Sequence, residues 1–168
     1  TPKFKIMNFF DSNHVPIVIE NGLLKYDGRI VKTTLIDRIK EVVERAGNVQ
    51  PFINFIENMF QNPSDQSINE LYLFLEHNNL PITEDGCFLA YKKVSVEVDE
   101  DGYKDLKDIY THTISNNVGE VVEIDRKEVN PDRNRTCSTG LHVCSKSYLF
   151  HYGSDNPSES TVVIVKVN

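Results

Sequence analysis

Tryptophan is absent from this 168-residue chain, and cysteine and methionine are scarce, at three and two. Cys87, Cys137 and Cys144 are too few, and too irregularly spaced, for a disulfide framework, so reduced thiols in a reducing compartment are expected. No apolar run approaches the ~20 residues that a membrane-spanning helix needs. The opening stretch, Thr-Pro-Lys-Phe-Lys-Ile-Met-Asn-Phe-Phe, has neither a long apolar segment nor a small-residue cleavage site, so no secretory signal is read there. A basic excess is also missing. The net charge of −7 argues against non-specific binding to duplex phosphate as the main task. There is no internal repeat, no heptad series and no low-complexity tract. What remains, 39% hydrophobic and 26% charged residues, suits a folded chain with one core, or one core plus a small helical layer.

Three stretches differ in periodicity. Residues 1–32 read as strands and turns: Val15–Ile19 is β-branched, and Asp27-Gly28 between Leu24/Tyr26 and Ile30/Val31 signals a hairpin. Residues 33–80 take a helical period. Leu35, Ile36, Ile39, Val42, Val43 and Ala46 form the first stripe, with Thr33 or Thr34 as cap and Gly47 as terminator. A second helix opens near Pro51 and carries Phe52, Phe55, Ile56, Met59 and Phe60, with Pro63 beyond its end. A third begins near Ser67, with Glu70 completing a capping box. Residues 81–168 are strand-rich. Strands are expected at Cys87–Val94, Ile109–Ile114, Val121–Ile124, Leu141–Cys144 and Thr161–Val167, with a short helix Lys146–Tyr152 capped by Ser145 and ended by Gly153. The acidic stretch 97–108 reads as a solvated loop. The expected fold class is α+β: an N-terminal hairpin segment, a three-helix layer, then a mostly antiparallel sheet with one short helix, together one compact unit.

Leu80–Lys92, Asn116–Val122 and Thr136–Tyr148, in this order and spacing, closely resemble the rIIB proteins of bacteriophages, the family named for the lysis-inhibition protein of T-even phages. Gly22–Tyr26, Leu35–Ile39 and Asn58–Ser64 extend the likeness to roughly residues 20–168. The family's T-even pattern has an N-terminal helix-turn-helix-like region and a further strand and tail that have no counterpart here. This chain in turn carries an acidic insertion near Val96–Lys107. The resemblance implies a phage-encoded protein of the host cytoplasm, or of the cytoplasmic side of the inner membrane. It would affect lysis timing or counter host and prophage exclusion. Its implied partners are an rIIA-type phage protein or a host defence component, and a homo-oligomer is an open alternative. It supplies no catalytic residues, and the expectation leans away from an enzyme.

The segment Thr136–Ser145 concentrates the chemistry-bearing residues. Gly140 lets backbone approach a ligand, Ser138 can donate to an anion, and Ser145 opens a short helix whose N-terminus favours negative charge. Arg126, Lys127, Arg133, Arg135 and Lys146 make a local basic excess, while Tyr91 and Lys92 could supply a stacking ring and a phosphate contact. With His112 and His142 these residues suit a nucleotide or phosphorylated small molecule. The bland alternative pairs the basic residues with Glu120, Glu123, Asp125, Glu128 and Asp132 on a solvated face. A nucleotide- or ADP-ribose-processing enzyme with a His/Tyr pocket is the rival from another class. The Tyr-Lys and Gly-Leu-His strands resemble the core of ADP-ribosyltransferase-type folds, though the catalytic Glu of those enzymes has no clear counterpart. A third reading puts zinc on His112, Cys137, His142 and Cys144, since His142 and Cys144 alternate onto one strand face. Cys-x4-His-x-Cys matches no common zinc spacing, so buried or turn cysteines without any cofactor are the plainer expectation. An activated cysteine paired with His142 or His112 has no nucleophile signature behind it.

Overall fold

The computed structural model describes residues 6–31, 35–62, 64–130 and 140–168. The chain divides into two compact units, Thr1–Leu89 with Val167–Asn168, and Ala90–Lys166.

The first unit opens with a four-stranded antiparallel meander in the order β1 (Met7–Phe10), β2 (Pro16–Glu20), β3 (Leu23–Tyr26), β4 (Arg29–Val31). Side chains alternate between the two faces of a strand, so register decides what is buried. Ile19 pairs with Leu24 and Leu24 with Val31, and this row is buried across three strands. The expected hairpin at Asp27-Gly28 is the β3–β4 turn, and Asp27 and Gly28 both take positive φ there. The Asp11 carboxylate organises the β1–β2 turn by accepting from the N–H groups of Asn13 and Val15 and from the Tyr26 hydroxyl, at 2.9, 2.8 and 2.6 Å.

Three helices follow: α1 (Leu35–Glu44), α2 (Gln50–Phe60) and α3 (Asp65–His77). Of the expected stripes, Leu35, Ile36 and Ile39 on α1 and Phe52, Phe55, Ile56 and Met59 on α2 are buried, together with Ile53, whereas Val42 and Phe60 are half-buried and Val43 and Ala46 are exposed. Pro51 sits in the first turn of α2, where its missing N–H costs nothing. Two boundaries differ from expectation. The cap of α3 is Ser64, whose Oγ accepts from Ser67 N–H at 3.2 Å, so the helix starts at Asp65 and Ser67 lies within its first turn instead of capping it. The end of α1 turns through Ala46 at φ +52°, while Gly47 donates its N–H back to Val42 at 2.8 Å. The left-handed residue is thus Ala46 rather than Gly47. Thr33, Thr34 and Pro63 lie outside the described residues.

The turn Glu84-Asp85-Gly86 leads into β5 (Phe88–Val98). Gly86 has φ +79°, and a Cβ there would lie 2.5 Å from Phe55 N and closer still to the Asn54 carbonyl carbon. Asn54 and Asn58 hold this turn from α2 by donating to the carbonyls of Glu84 and Asp85 at 2.7 and 3.0 Å.

The second unit contains a three-stranded sheet in the order β6 (Lys104–Asp108), β5, β7 (Ser160–Val167). The acidic stretch read as a loop is instead the β5–β6 hairpin, with Val98 paired to Lys104 and Val94 to Asp108. Composition hid the strand because its charges are compensated locally: Lys107 Nζ lies 3.1 Å from Glu97 and 3.4 Å from Asp105. The strand expected at Ile109–Ile114 is a turn wrapped around Asp108. Its buried carboxylate accepts from the N–H groups of Thr111, Thr113 and Ile114 at 2.6, 3.2 and 2.9 Å and from the Thr111 hydroxyl. Val121–Ile124 forms no strand, and Leu141–Cys144 contributes a single bridge, Cys144 to Tyr91. The expected helix is a 3-10 helix, Lys146–His151.

Candidate functional site

In a β-strand successive side chains point to opposite faces, so Tyr91, Lys93, Ser95 and Glu97 share one face of β5 and Lys92 the other. Lys93, Ser95 and Glu97 on this face each have a side-chain partner inside the second unit. Lys93, only 7% exposed, reaches Asp155 Oδ1 at 2.9 Å and the Leu149 carbonyl at 3.4 Å. Its aliphatic stem lies over Gly153, where a Cβ would meet Lys93 Cδ at 3.0 Å and Ile109 Cδ1 at 2.9 Å. Ser95 Oγ donates to the Lys107 carbonyl and lies 3.2 Å from His112 Nδ1, which is 3.5 Å from Glu97 Oε1.

A gap in the β5 ladder sets the position of Tyr152. Tyr91 exchanges two backbone bonds with Cys144, at 2.9 and 2.7 Å, and the pairing with β6 begins at Val94. The Lys93 N–H falls between them and donates to the Tyr152 hydroxyl at 3.1 Å. The same hydroxyl lies 3.2 Å from Cys144 Sγ. Burial and the Cys144 contact push the Tyr152 hydroxyl up to about 12. Burial also raises the Cys144 thiol, against the hydrogen bond from Tyr152, which favours its neutral form over a nucleophilic thiolate.

Tyr152 closes a row of rings on the 3-10 helix. Tyr148 lies 5.3 Å from His151 and 5.8 Å from Tyr152, centroid to centroid. Leu149 anchors the helix inward, while Phe150 is 78% exposed and Tyr148 half-exposed. Leu149 is thus buried while the rings of Tyr148 and Phe150 on either side of it are left to solvent.

The expected site residues scatter around this cluster. Tyr91 and Cys144 meet through backbone. Lys92 is half-buried, and burial lowers its ammonium against the pull of the Asp108 carboxylate. His112 is exposed at φ +58° and is held by Ser95 and Glu97. His142 is exposed; a Cβ on Gly140 would come 3.9 Å from its ring and 3.1 Å from Val129. Ser145 precedes the 3-10 helix without a capping bond and instead meets Ser147 Oγ at 3.0 Å, and Lys146 is exposed. Arg135, Cys137 and Ser138 lie outside the described residues. Among the described residues no three His, Cys, Asp or Glu side chains converge as a metal set. Lys93, Asp155, Tyr152 and Phe150 carry no motif. The available signal was the Tyr148/Tyr152 spacing, which reads equally well as core.

One depression in the second unit, about 470 Å³, is lined by Glu97, Asp99, Tyr103, Lys104, Asp105 and Lys107. In the first unit a cleft of about 370 Å³ has Phe55, Met59, Leu71 and Phe88 among its walls. Neither contains an expected site residue. No described helix is long and apolar enough to cross a membrane.

Against known proteins, the family described as Bacteriophage T4 protein rIIB matches residues 10–168. Protein rIIB of Enterobacteria phage T4 is 41% identical over 150 residues, which cover 89% of this chain and 45% of that relative. The chain therefore spans less than half the length of the curated relative it matches. No solved structure matches.

Proposed function

The chain belongs to the bacteriophage T4 protein rIIB family, and from that premise we propose that it is an effector that tunes lysis timing, or relieves exclusion of the phage by its host or a resident prophage, by holding a partner protein. The observation that supports binding over turnover is the contrast on the second unit. Lys93, Ser95, Glu97, Asp108 and Tyr152 are committed to partners within the fold, whereas Tyr148 and Phe150 are offered to solvent. Exposed aromatic rings on a fixed support are the side chains that anchor protein interfaces. The partner is a phage protein of the rIIA type or a component of host defence.

The experiment is complementation. Cells expressing the chain are infected with a phage T4 derivative lacking rIIB, and both the time of lysis and plating on a prophage-carrying host are followed. Restored timing or plating is the expected result; cultures indistinguishable from those without the chain would overturn the reading. The double variant Tyr148→Ala, Phe150→Ala should fold and lose the effect. A melting temperature raised by a nucleotide would instead make the bound signal a small molecule, since a ligand at 100 times its Kd stabilises by roughly 2.7 kcal/mol.

A further inference from the structure

Lys92 and Lys93 are neighbours on β5 with opposite surroundings. Lys93 is buried, and its ammonium is held by Asp155 and the Leu149 carbonyl. Lys92 stands on the other face between Ala90 and Val94, both 0% exposed. It is half-buried, yet among the described residues its Nζ makes no hydrogen bond and no ion pair. The other lysines differ. Lys40 and Lys107 reach carboxylates at 3.9 and 3.1 Å. Lys25 is also half-buried, but Ile30, opposite it on β4, is 60% exposed, so the Lys25 head group stays with solvent. Lys104, Lys127 and Lys146 are exposed.

The charge that acts on Lys92 is Asp108, which stands opposite Val94 on β6. Its oxygens are already occupied by the N–H groups of Thr111, Thr113 and Ile114 and by the Thr111 hydroxyl. Burial therefore outweighs the pull of Asp108 and holds the Lys92 ammonium below its ordinary value. A half-buried ammonium without a partner is costly, and the neutral amine it gives up its proton to become is a nucleophile. We propose that Lys92 is a covalent site for a small aldehyde, taken up as an imine. The Nζ lone pair attacks the carbonyl carbon, a C=N bond replaces C=O, and the carbonyl oxygen leaves as water with the two amine protons. No oxidant or reductant is consumed. The product sets a neutral group in place of a charged one between Ala90 and Val94. An aldehyde suits the site because imine formation asks only for the amine itself.

Reductive alkylation of the full chain with propanal and cyanoborohydride at neutral pH tests this, the extent at each lysine being read by peptide mass spectrometry. Lys92 is expected to react about threefold or more faster than Lys25, Lys104, Lys127 and Lys146. Exposure alone sets the reverse order, so a Lys92 that reacts no faster than the exposed lysines would overturn the proposal. In concentrated urea all five should react alike. A preference for Lys92 that survives unfolding would belong to the local sequence rather than to its place in the fold, and would overturn it too. Lys92→Arg keeps the positive charge and should abolish the fast phase with circular dichroism unchanged; a fast phase that remains would place the reactive amine elsewhere. None of these results bears on complementation of the rIIB-deficient phage.

Discussion

Single residues decide more here than their motifs suggest. Asp108 lies in no recognisable signature, yet its carboxylate orders the whole turn from Thr111 to Ile114. Burial alone would raise this group, but hydrogen bonds from the backbone N–H groups of Thr111 and Ile114 outweigh it and hold the carboxyl at about 2. The folded value is thus depressed below the unfolded one. Its stabilisation is present above the unfolded pKa of ~3.9 and is lost as pH falls from there through 2. Asp108→Asn should therefore destabilise the chain by about 2 kcal/mol at pH 7 and flatten the loss of stability between pH 4 and pH 2, read by urea unfolding across that range. Gly86 is a second such position. Its positive φ and the Asn54–Phe55 backbone directly facing it leave no room for a methyl group, so Gly86→Ala should cost at least about 2 kcal/mol in thermal or denaturant unfolding. The sequence marks Gly86 only as a turn glycine; the approach of α2 is what makes it irreplaceable.

At the scale of elements, periodicity served the helices and failed the second sheet. The apolar stripes of α1 and α2 are dense and regular, and the stripe positions Leu35, Ile36, Ile39, Phe52, Phe55, Ile56 and Met59 are buried. In the second unit the β5–β6 register sets Glu97 opposite Asp105, and Lys107 lies against both carboxylates, an arrangement across strands that no window along one strand can reveal. The segment around Cys144 fails in the opposite way. Leu141–Cys144 has strand composition but pairs through Cys144 alone, and a side chain fills the ladder where a strand residue would sit. Tyr152→Phe removes the acceptor of the Lys93 N–H and should cost about 1–3 kcal/mol, the penalty for an unpaired buried amide. Faster amide exchange at Lys93, with the exchange of α1 and α2 unchanged, would check that the loss is local.

For the molecule as a whole, the net charge of −7 sets what the surface can attract. Binding to duplex DNA draws its affinity from phosphate neutralisation, so the chain should leave the anisotropy of a labelled duplex unchanged at physiological salt; salt-sensitive binding there would reveal a basic surface that composition hides. By itself, the sequence determined family membership, the α+β class and the helical stripes. Those depend on residue order and on local periods of 3.6 and 2, which are written along the chain. Only the tertiary structure decided that the acidic stretch is a hairpin, that Asp108 is caged, and that Lys93 rather than Lys92 is the deeply buried lysine. The physical reason is the same for all three. Each depends on what lies across a strand or under a side chain, often dozens of residues away, as Asp155 is from Lys93, and no local pattern encodes that partner.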